Sequence, residues 1–298
     1  MPRTSYNRCV ETLCLILTNI LGGACYPAIS IALRGFGDRD VAFLRMGLCS
    51  LLFVPFLLHS RKRLYALAAR DWALMAVVGF FGYSMPLALG ICGQKLSTAA
   101  SASLLLTLEP ITIVFFSCLF LGERVTRRKG LAFAAGLLGT GLITFQGLPH
   151  WGVSLTGRMA GDLLLAAAGA SWAIYTVIGK PLLTRVRPLD YTAVTTVFGF
   201  LGVALWAGPD LSPGAWRSAG ALAWAGIVFL GVGGNFLGGL LWNLALERTE
   251  ASRVANFIFL QPLVGVALGA WLLGDALTAW TLAGGALVLA GVRAATRL

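Results

Sequence analysis

The sequence predicts an all-α membrane protein of about ten transmembrane helices, arranged as two inverted five-helix repeats with both termini in the cytoplasm. Three observations predict this fold class: an apolar composition, ten long apolar runs and an internal repeat. Hydrophobic residues make up 58% of the 298 residues, and charged residues only 12%. One soluble core could not bury that much apolar surface, so the chain must have lipid as its solvent.

Each predicted helix rests on an apolar run, because about 20 mostly apolar residues are needed to cross a bilayer. The runs lie at 9–32, 41–58, 72–92, 98–121 and 130–145, then at 161–183, 191–207, 218–246, 251–273 and 276–292. They form two sets of five, a first repeat at 1–148 and a second at 149–298, which together make one membrane domain. The first run is too long for the apolar part of a signal peptide, which favours a retained first helix.

The internal repeat is a short motif that occurs twice. Leu108-Glu109-Pro110 is followed by Gly122-Glu123, and Leu260-Gln261-Pro262 is followed at the same spacing by Gly274-Asp275. The offset between the copies is 152 residues (262 − 110). A repeat of this kind in an apolar chain is typical of transporters built from two similar halves. Because five is an odd number of spans, the second half must insert in the opposite orientation to the first.

The basic residues predict the orientation of the helices. With a cytoplasmic N-terminus, only five of the 23 lysines and arginines fall in outer segments: Arg34, Arg39, Lys95, Arg158 and Arg217. Arg45 lies within a span near its outer end, where it is expected to snorkel to the interface. The other seventeen (23 − 5 − 1) lie in inner segments, which is a strong positive-inside bias.

The composition also argues against several other classes of function. A net charge of +11 could suggest nucleic acid, but the charges sit in short gaps between apolar runs and form no continuous basic face. The six cysteines are scattered through the first half without a CxxC pair or a Cys/His cluster, so we predict no metal site and no cofactor. No nucleophile or metalloprotease motif accompanies the histidines, His59 and His150, which fall in predicted loops, and no catalytic residue is predicted.

Glu109 is the carboxylate that the sequence places deep within a span. A buried carboxylate in lipid is costly, which favours a role in proton coupling. The other interpretation is structural: Pro110 frees carbonyl groups one turn back, and a protonated Glu109 could donate to one of them. Because Gln261 takes the same position in the second repeat without a charge, the structural interpretation is favoured and both remain open.

Prolines and deep polar or aromatic residues mark a candidate binding site. We expect Pro27, Pro86, Pro110 and Pro262, which lie within or at the ends of spans, to kink their helices. Polar and aromatic side chains at this depth should face the bundle interior or a wet cavity. Such a cavity would suit an amphiphilic organic solute, whereas plain hydrogen bonding between helices is the other interpretation. The candidate lining residues are Asn19, Tyr26, Tyr83, Trp172, Tyr175, Asn235, Trp242 and Asn256.

The two motifs resemble those of the drug/metabolite transporter superfamily, in its EamA branch. Leu-Glu-Pro with Phe-Leu-Gly-Glu in the first half, and Leu-Gln-Pro with Leu-Leu-Gly-Asp in the second, carry this resemblance across nearly the whole chain. It implies a central cavity lined by helices 1, 3, 4, 6, 8 and 9, with helices 5 and 10 at the periphery. Family members often export amino acids and related metabolites. The glutamine in the second motif departs from the family's usual glutamate.

These observations together predict an inner-membrane exporter in a bacterium that works by alternating access. Its partners would be the lipid bilayer and a small solute, an aromatic or neutral amino acid or a related metabolite, and it could act as a monomer. Two other interpretations remain: an uncoupled, channel-like facilitator, and a transporter of another organic solute such as a drug or a nucleotide-linked metabolite.

Overall fold

A computed structural model of the chain describes residues 5–96, 108–145, 159–273 and 278–296. These residues are almost entirely helical and contain no strand. The first half comprises α1 (Ser5–Ala32), α2 (Asp38–Tyr65), α3 (Ala69–Leu96), α4 (Leu108–Leu121) and α5 (Arg127–Phe145). The second half comprises α6 (Met159–Gly179), α7 (Pro188–Ala207), α8 (Ala221–Arg248), α9a (Ala251–Ile258), α9b (Leu260–Leu273) and α10 (Ala279–Thr296).

The helices are those of a multi-pass membrane protein. By length and composition, 7 of them can cross a membrane: α1, α2, α3, α6, α7, α8 and the combined α9. The apolar parts of α4 and α10 are shorter, and α5, which begins with Arg127, Arg128 and Lys129, is in neither group. The predicted total of ten crossings therefore stays a prediction. The start of the fourth run, at residues 98–107, lies outside the described residues.

Two predicted kinks coincide with irregular helix geometry. Pro262 has no N–H to donate to the carbonyl of Ile258, four residues earlier, and α9 is interrupted between these two positions, at Phe259. Pro86 directly follows the start of the regular α-helix that succeeds a π-helical turn at Phe80–Ser84 in α3. A second π-helical segment, Phe229–Gly238, lies in α8. In both halves the geometry therefore departs from a regular α-helix at mid-depth.

Pro27 and Pro110 leave the described helices uninterrupted. Pro27 lies within α1, which stays α-helical from Ser5 to Ala32. Pro110 occupies the first turn of α4, where a backbone N–H would have no partner within the helix. Pro27 therefore has no break of the kind that accompanies Pro262, and the kink expected at Pro110 stays a prediction because residues 97–107 lie outside the described part of the chain.

The end of α2 differs from the sequence prediction. The apolar run stops at residue 58, but α2 continues to Tyr65 as a polar, basic segment. Lys62 and Arg63 lie in its last turn. The helix dipole places a partial negative charge at the C-terminal end of a helix, so these cations stabilise the extension. His59, predicted to lie in a loop, is consequently an exposed residue of α2.

Contacts between the two halves are reciprocal. α1 packs against α8 and α9, while α6 packs against α3 and α4; α2 packs against α7, and α5 against α10. A Cβ atom at Gly139 would lie 2.5 Å from the carbonyl oxygen of Gly284, and one at Gly291 would lie 2.7 Å from that of Ala132. The offset of 152 residues exchanges these two contacts (139 + 152 = 291; 284 − 152 = 132). The packing therefore has the internal two-fold relation that a repeat requires.

The first helices of the two halves run in opposite directions. Near the start of α1, the carboxylate of Glu11 accepts a hydrogen bond from the Thr249 hydroxyl at 3.2 Å. Lys180, which directly follows α6, donates to the backbone carbonyls of Leu246 and Thr249. α1 thus begins where α6 ends, at the turn that joins α8 to α9. This is the relation expected of an inverted second half.

Candidate functional site

A central cavity lies between the two halves and has two connected lobes. The lobes have volumes of about 280 and 310 Å³ and share seven lining residues: Tyr26, Ile29, Arg45, Pro86, Leu87, Glu109 and Trp172. One lobe reaches down to Thr18 and Trp242, and the other extends to Leu33 and Gln94, which are exposed. The cavity therefore opens at the end of the bundle where α1 ends and α2 begins, which we call the open end.

Six helices line the cavity as the family resemblance implies: α1, α3, α4, α6, α8 and α9. Among the described residues, none from α5 or α10 lines either lobe. One helix is added to the implied set, because α2 supplies Arg45 and Met46 to the walls and Asp38 to the open end. α2 thus supplies the guanidinium group of Arg45 to the cavity.

Aromatic side chains form one wall. Trp172 lies edge-on to Tyr83, with ring centroids 6.2 Å apart, and lies 5.8 Å from Trp242. All three residues, together with Tyr26 and Asn235, line the cavity, so the structure brings together five of the eight predicted lining residues. This wall offers flat apolar surface beside a few polar atoms, which is the usual character of a small-molecule site.

The other three predicted lining residues, Asn19, Tyr175 and Asn256, are not among the described residues that line the two lobes. Asn19 donates to the Leu15 carbonyl at 2.7 Å, and its own carbonyl oxygen accepts from Gln261 at 2.9 Å. Asn256 donates to the Ser252 carbonyl in its own helix. Depth in an apolar run therefore identified buried polar groups without distinguishing a cavity wall from a contact between helices.

Tyr175 supports the aromatic wall from behind. Its ring stacks on Trp172 at a centroid distance of 4.9 Å and is fully buried. Its hydroxyl accepts a hydrogen bond from Asn243 at 2.7 Å, and Asn243 also donates to Thr192 at 2.9 Å. The sequence analysis missed Asn243, although an amide beside Trp242 in an apolar run was a signal that could have found it.

Glu109 and Gln261 occupy matching positions in the motif but have different surroundings. Gln261 donates to Asn19, and it sits so close to α1 that a Cβ atom at Gly22 would lie 2.9 Å from its amide carbon. The carboxylate of Glu109 faces the cavity and, within the described part of the chain, has no hydrogen-bond or ion-pair partner. The bond to a carbonyl that the structural interpretation requires is therefore not made by the described residues.

Arg45 points into the cavity instead of snorkelling to the interface. One Nη donates to the side-chain oxygen of Asn235 at 2.6 Å, and the Nε is buried without a partner. No carboxylate of the described residues forms an ion pair with Arg45. The sequence analysis read this residue as a topology signal, because a single arginine near a helix end gives no indication of which way it points.

The opposite end of the cavity is closed by contacts at the turn between α8 and α9a. Gly122 has a φ of +65° at the end of α4, a conformation that favours glycine, and it turns the chain so that Glu123 faces α9a. The two carboxylate oxygens of Glu123 accept hydrogen bonds from the backbone N–H groups of Ala251 and Ser252, at 2.8 and 2.9 Å. The Gly-Glu pair of the repeat motif thus caps a helix of the other half.

Lysines strengthen the same closure. Lys129, at the start of α5, forms an ion pair with Glu250 and also donates to the carbonyl of Arg124 at 3.2 Å. Lys180 donates to the carbonyls at the end of α8. We call Glu123, Lys129 and the backbone of residues 250–252 the clasp. It joins the first half to the second at the closed end.

The described residues show no site for a metal or a disulfide. They contain no group of three or more His, Cys, Asp or Glu residues that could hold a metal ion. Cys14, Cys25, Cys49, Cys92 and Cys118 are free thiols in the structure. Cys25 lines the cavity, which makes it a native reporter of access to the site.

Comparisons with known proteins agree with this architecture. The model of the EamA-like transporter family matches the chain twice, at residues 11–145 and 159–297. An uncharacterized transporter of Archaeoglobus fulgidus is 30% identical over 93% of this chain and 95% of its own length. A probable terminal-alkyne amino-acid exporter of Streptantibioticus cattleyicolor is 27% identical over 93% and 90%. A probable amino-acid metabolite efflux pump of Salmonella typhimurium is 28% identical over 71% and 74%.

A solved crystal structure has the same fold. It superposes with a TM-score of 0.81 at 20% sequence identity and covers 96% of this chain and 97% of its own. At that identity the likeness shows the fold alone, whereas the two matches to the family model cover most of the chain. The chain belongs to the EamA-like transporter family.

Proposed function

We propose that the protein is a secondary transporter that exports amino acids, including aromatic or neutral ones, and related small metabolites by alternating access. It would act as a monomer in the inner membrane of a bacterium, with both termini and the clasp in the cytoplasm. The observation that carries this proposal is a cavity between two halves that is open at one end and closed at the other. The described state would then be open to the outside.

The lining of the cavity supports an amphiphilic solute. Trp172 and Tyr83 provide apolar surface, while Arg45, Glu109 and Asn235 provide polar groups of both charges. The names given to the relatives from Streptantibioticus and Salmonella point to the same class of solute. A nucleotide-linked solute carries several phosphate charges, and among the described lining residues Arg45 is the sole cation.

The closed end argues against a continuous channel. Contacts from the ends of α1, α4, α5 and α6 converge on the turn between α8 and α9, and they hold the two halves together at this end of the described bundle. A facilitator that alternates between outward-open and inward-open states without a driving ion would have the same structure as a coupled exporter. It is distinguished from a coupled exporter by its response to a pH gradient.

Counterflow in proteoliposomes tests the proposed function. Vesicles loaded with unlabelled L-phenylalanine should accumulate labelled L-phenylalanine with saturable kinetics and show no conductance. Vesicles without protein provide the baseline. Conductance or unsaturable flux would identify a channel, and failure of every amino acid in a panel would contradict the proposed solute class.

Trp172→Ala should lower counterflow at least about tenfold, because it removes a large aromatic contact surface from the cavity wall. Tyr83→Ala should act in the same direction. The matched control is Trp271→Ala, since Trp271 is 79% exposed on the outer surface of α9b. If Trp172→Ala and Tyr83→Ala transport as Trp271→Ala does, the aromatic wall does not bind the solute.

Glu109→Gln should abolish the response to a pH gradient while leaving counterflow measurable. A free carboxylate in the cavity can exchange a proton with the open side, and an amide cannot. The readout is accumulation driven by an imposed pH difference, with Glu247→Gln as the control because Glu247 pairs with its neighbour Arg248 outside the cavity. An unchanged response in Glu109→Gln would rule out proton coupling at this residue.

A further inference from the structure

Two groups of opposite charge face the cavity, and the described protein pairs neither of them with an opposite charge. Arg45 has one hydrogen bond, to Asn235, although a guanidinium group carries five N–H donors. Its Nε is buried without a partner. A cation at membrane depth is costly unless it is paired, and functional proteins pair such groups with each other or with a solute. The arrangement leaves a place for an anionic group on the solute.

The amide of Asn235 fixes the direction of Arg45. Its oxygen accepts from the guanidinium at 2.6 Å, and its nitrogen donates to the sulfur of Met46 at 2.7 Å. With the amide held at both ends, the guanidinium group is fixed at the wall of the cavity that Arg45 lines. The planar array of donors on a guanidinium group fits the two oxygens of a carboxylate.

Glu109 and Arg45 lie at similar depth. Arg45 is seven residues into α2, which places it roughly 10 Å from the open end at 1.5 Å per residue. Glu109 lies twelve residues before the end of α4, which places it roughly 18 Å from the closed end. In a bundle about 30 Å thick, Glu109 is then roughly 12 Å from the open end. Both residues line both lobes of the cavity. The two charges therefore face the same cavity.

We infer that the cavity selects solutes that carry a carboxylate, which binds Arg45, and an ammonium group, which faces Glu109. The apolar part of the solute then lies against Trp172 and Tyr83. This inference rests on the proposed function and specifies its solute as a zwitterion. A simple amine leaves Arg45 unpaired, and a simple acid leaves Glu109 unpaired.

Three probes with the same aromatic group test the inference on the purified protein. They are L-phenylalanine, 3-phenylpropionate, which lacks the amino group, and phenethylamine, which lacks the carboxylate. Binding is measured by thermal stabilisation in detergent, and transport of L-phenylalanine is measured in parallel by counterflow. The wild-type protein should bind L-phenylalanine most tightly of the three.

Arg45→Gln should weaken binding of L-phenylalanine and 3-phenylpropionate about 10- to 100-fold and leave phenethylamine binding unchanged, since only the first two carry a carboxylate. Arg45→Lys should retain part of the affinity, because it keeps the charge without the planar donors. Arg61→Gln is the matched control on the same helix, where Arg61 is exposed outside the cavity.

A second variant keeps the test decisive if Arg45→Gln does not fold. Asn235→Asp places a carboxylate against Arg45, which remains paired inside the protein, and it should weaken carboxylate binding to a similar extent. If either variant lowers the affinity for all three probes equally, or for none, Arg45 does not bind the carboxylate and the inference is overturned.

The parallel measurements separate the two proposals. Transport of L-phenylalanine that is insensitive to both variants overturns the inference and leaves the proposed function intact. Binding of carboxylates that depends on Arg45, without transport of any amino acid, supports the inference and contradicts the proposed function. Neither binding nor transport of any probe by the wild-type protein contradicts both.

Discussion

Replacing Glu123 by alanine is expected to open the closed end and to lower counterflow about a hundredfold. The variant loses two charge-assisted hydrogen bonds to the start of α9a. At about 1.5 kcal/mol each, their loss amounts to about 3 kcal/mol, which shifts an equilibrium between two states more than a hundredfold. Alternating access requires each end to close in turn, so a protein with a destabilised closure cannot complete the cycle efficiently.

The native thiol of Cys25 reports this shift. In a variant whose other five cysteines are replaced, a membrane-impermeant maleimide should label Cys25 quickly from the open end of the wild-type cavity. Glu123→Ala should slow this labelling at least tenfold, because the outward-open state becomes less populated. Glu247→Ala is the control. Glu247 lies at the same end of the bundle, but its carboxylate pairs with Arg248 of the same helix. Equal labelling of the two variants would show that the clasp does not stabilise this state.

Gly139→Leu should destabilise the protein by about 3 kcal/mol or more. A Cβ atom at Gly139 would lie 2.5 Å from the carbonyl oxygen of Gly284 and 2.8 Å from the backbone nitrogen of Val288. Both neighbours are backbone atoms of α10, which cannot turn away as a side chain can. The two helices must separate, and forced overpacking of this kind commonly costs about 1–3 kcal/mol even where side chains can adjust.

Gly141→Leu is the matched control for this prediction. Gly141 lies two residues along the same helix, and a Cβ atom there would meet nothing within 4 Å. Replacement of a helical glycine by leucine otherwise favours the helix by several tenths of a kcal/mol. The midpoint of thermal unfolding in detergent should therefore fall for Gly139→Leu and stay level or rise for Gly141→Leu. Equal midpoints would mean that α5 and α10 do not rely on this contact.

Hydropathy predicted where the helices lie because a segment that spans lipid must be mostly apolar along its whole length. It could not predict their irregularities. The π-helical segments Phe80–Ser84 and Phe229–Gly238 contain glycines, but glycine also occurs in the regular helices of this chain and so does not mark them. The polar end of α2 was missed for a different reason, because hydropathy measures the apolar part of a helix and not its length.

The cavity was predictable in character and less so in detail. Trp172, Tyr83 and Trp242 could be proposed from their depth, but depth does not give the direction of a side chain, so Asn19 and Asn256 were placed in the cavity and Arg45 was left out. The role of Glu123 was not predictable, because its partners are backbone N–H groups 128 and 129 residues away that carry no side-chain signal. Here the repeat motif marked the residue without revealing its contact.

If transport is coupled to protons through Glu109, the neutral residue at the matching position, Gln261, limits how much work the transporter can do. Gln261 cannot carry a proton, so a cycle coupled through Glu109 moves at most one proton for each solute molecule. A membrane potential of 100 mV supplies about 2.3 kcal/mol for one charge, which sustains roughly a 50-fold concentration ratio, and each pH unit adds about a factor of ten. A second acid in place of Gln261 would double the available free energy and square that ratio. In a proton-coupled cycle, the single difference between the two motifs would therefore set the number of protons moved for each transported solute.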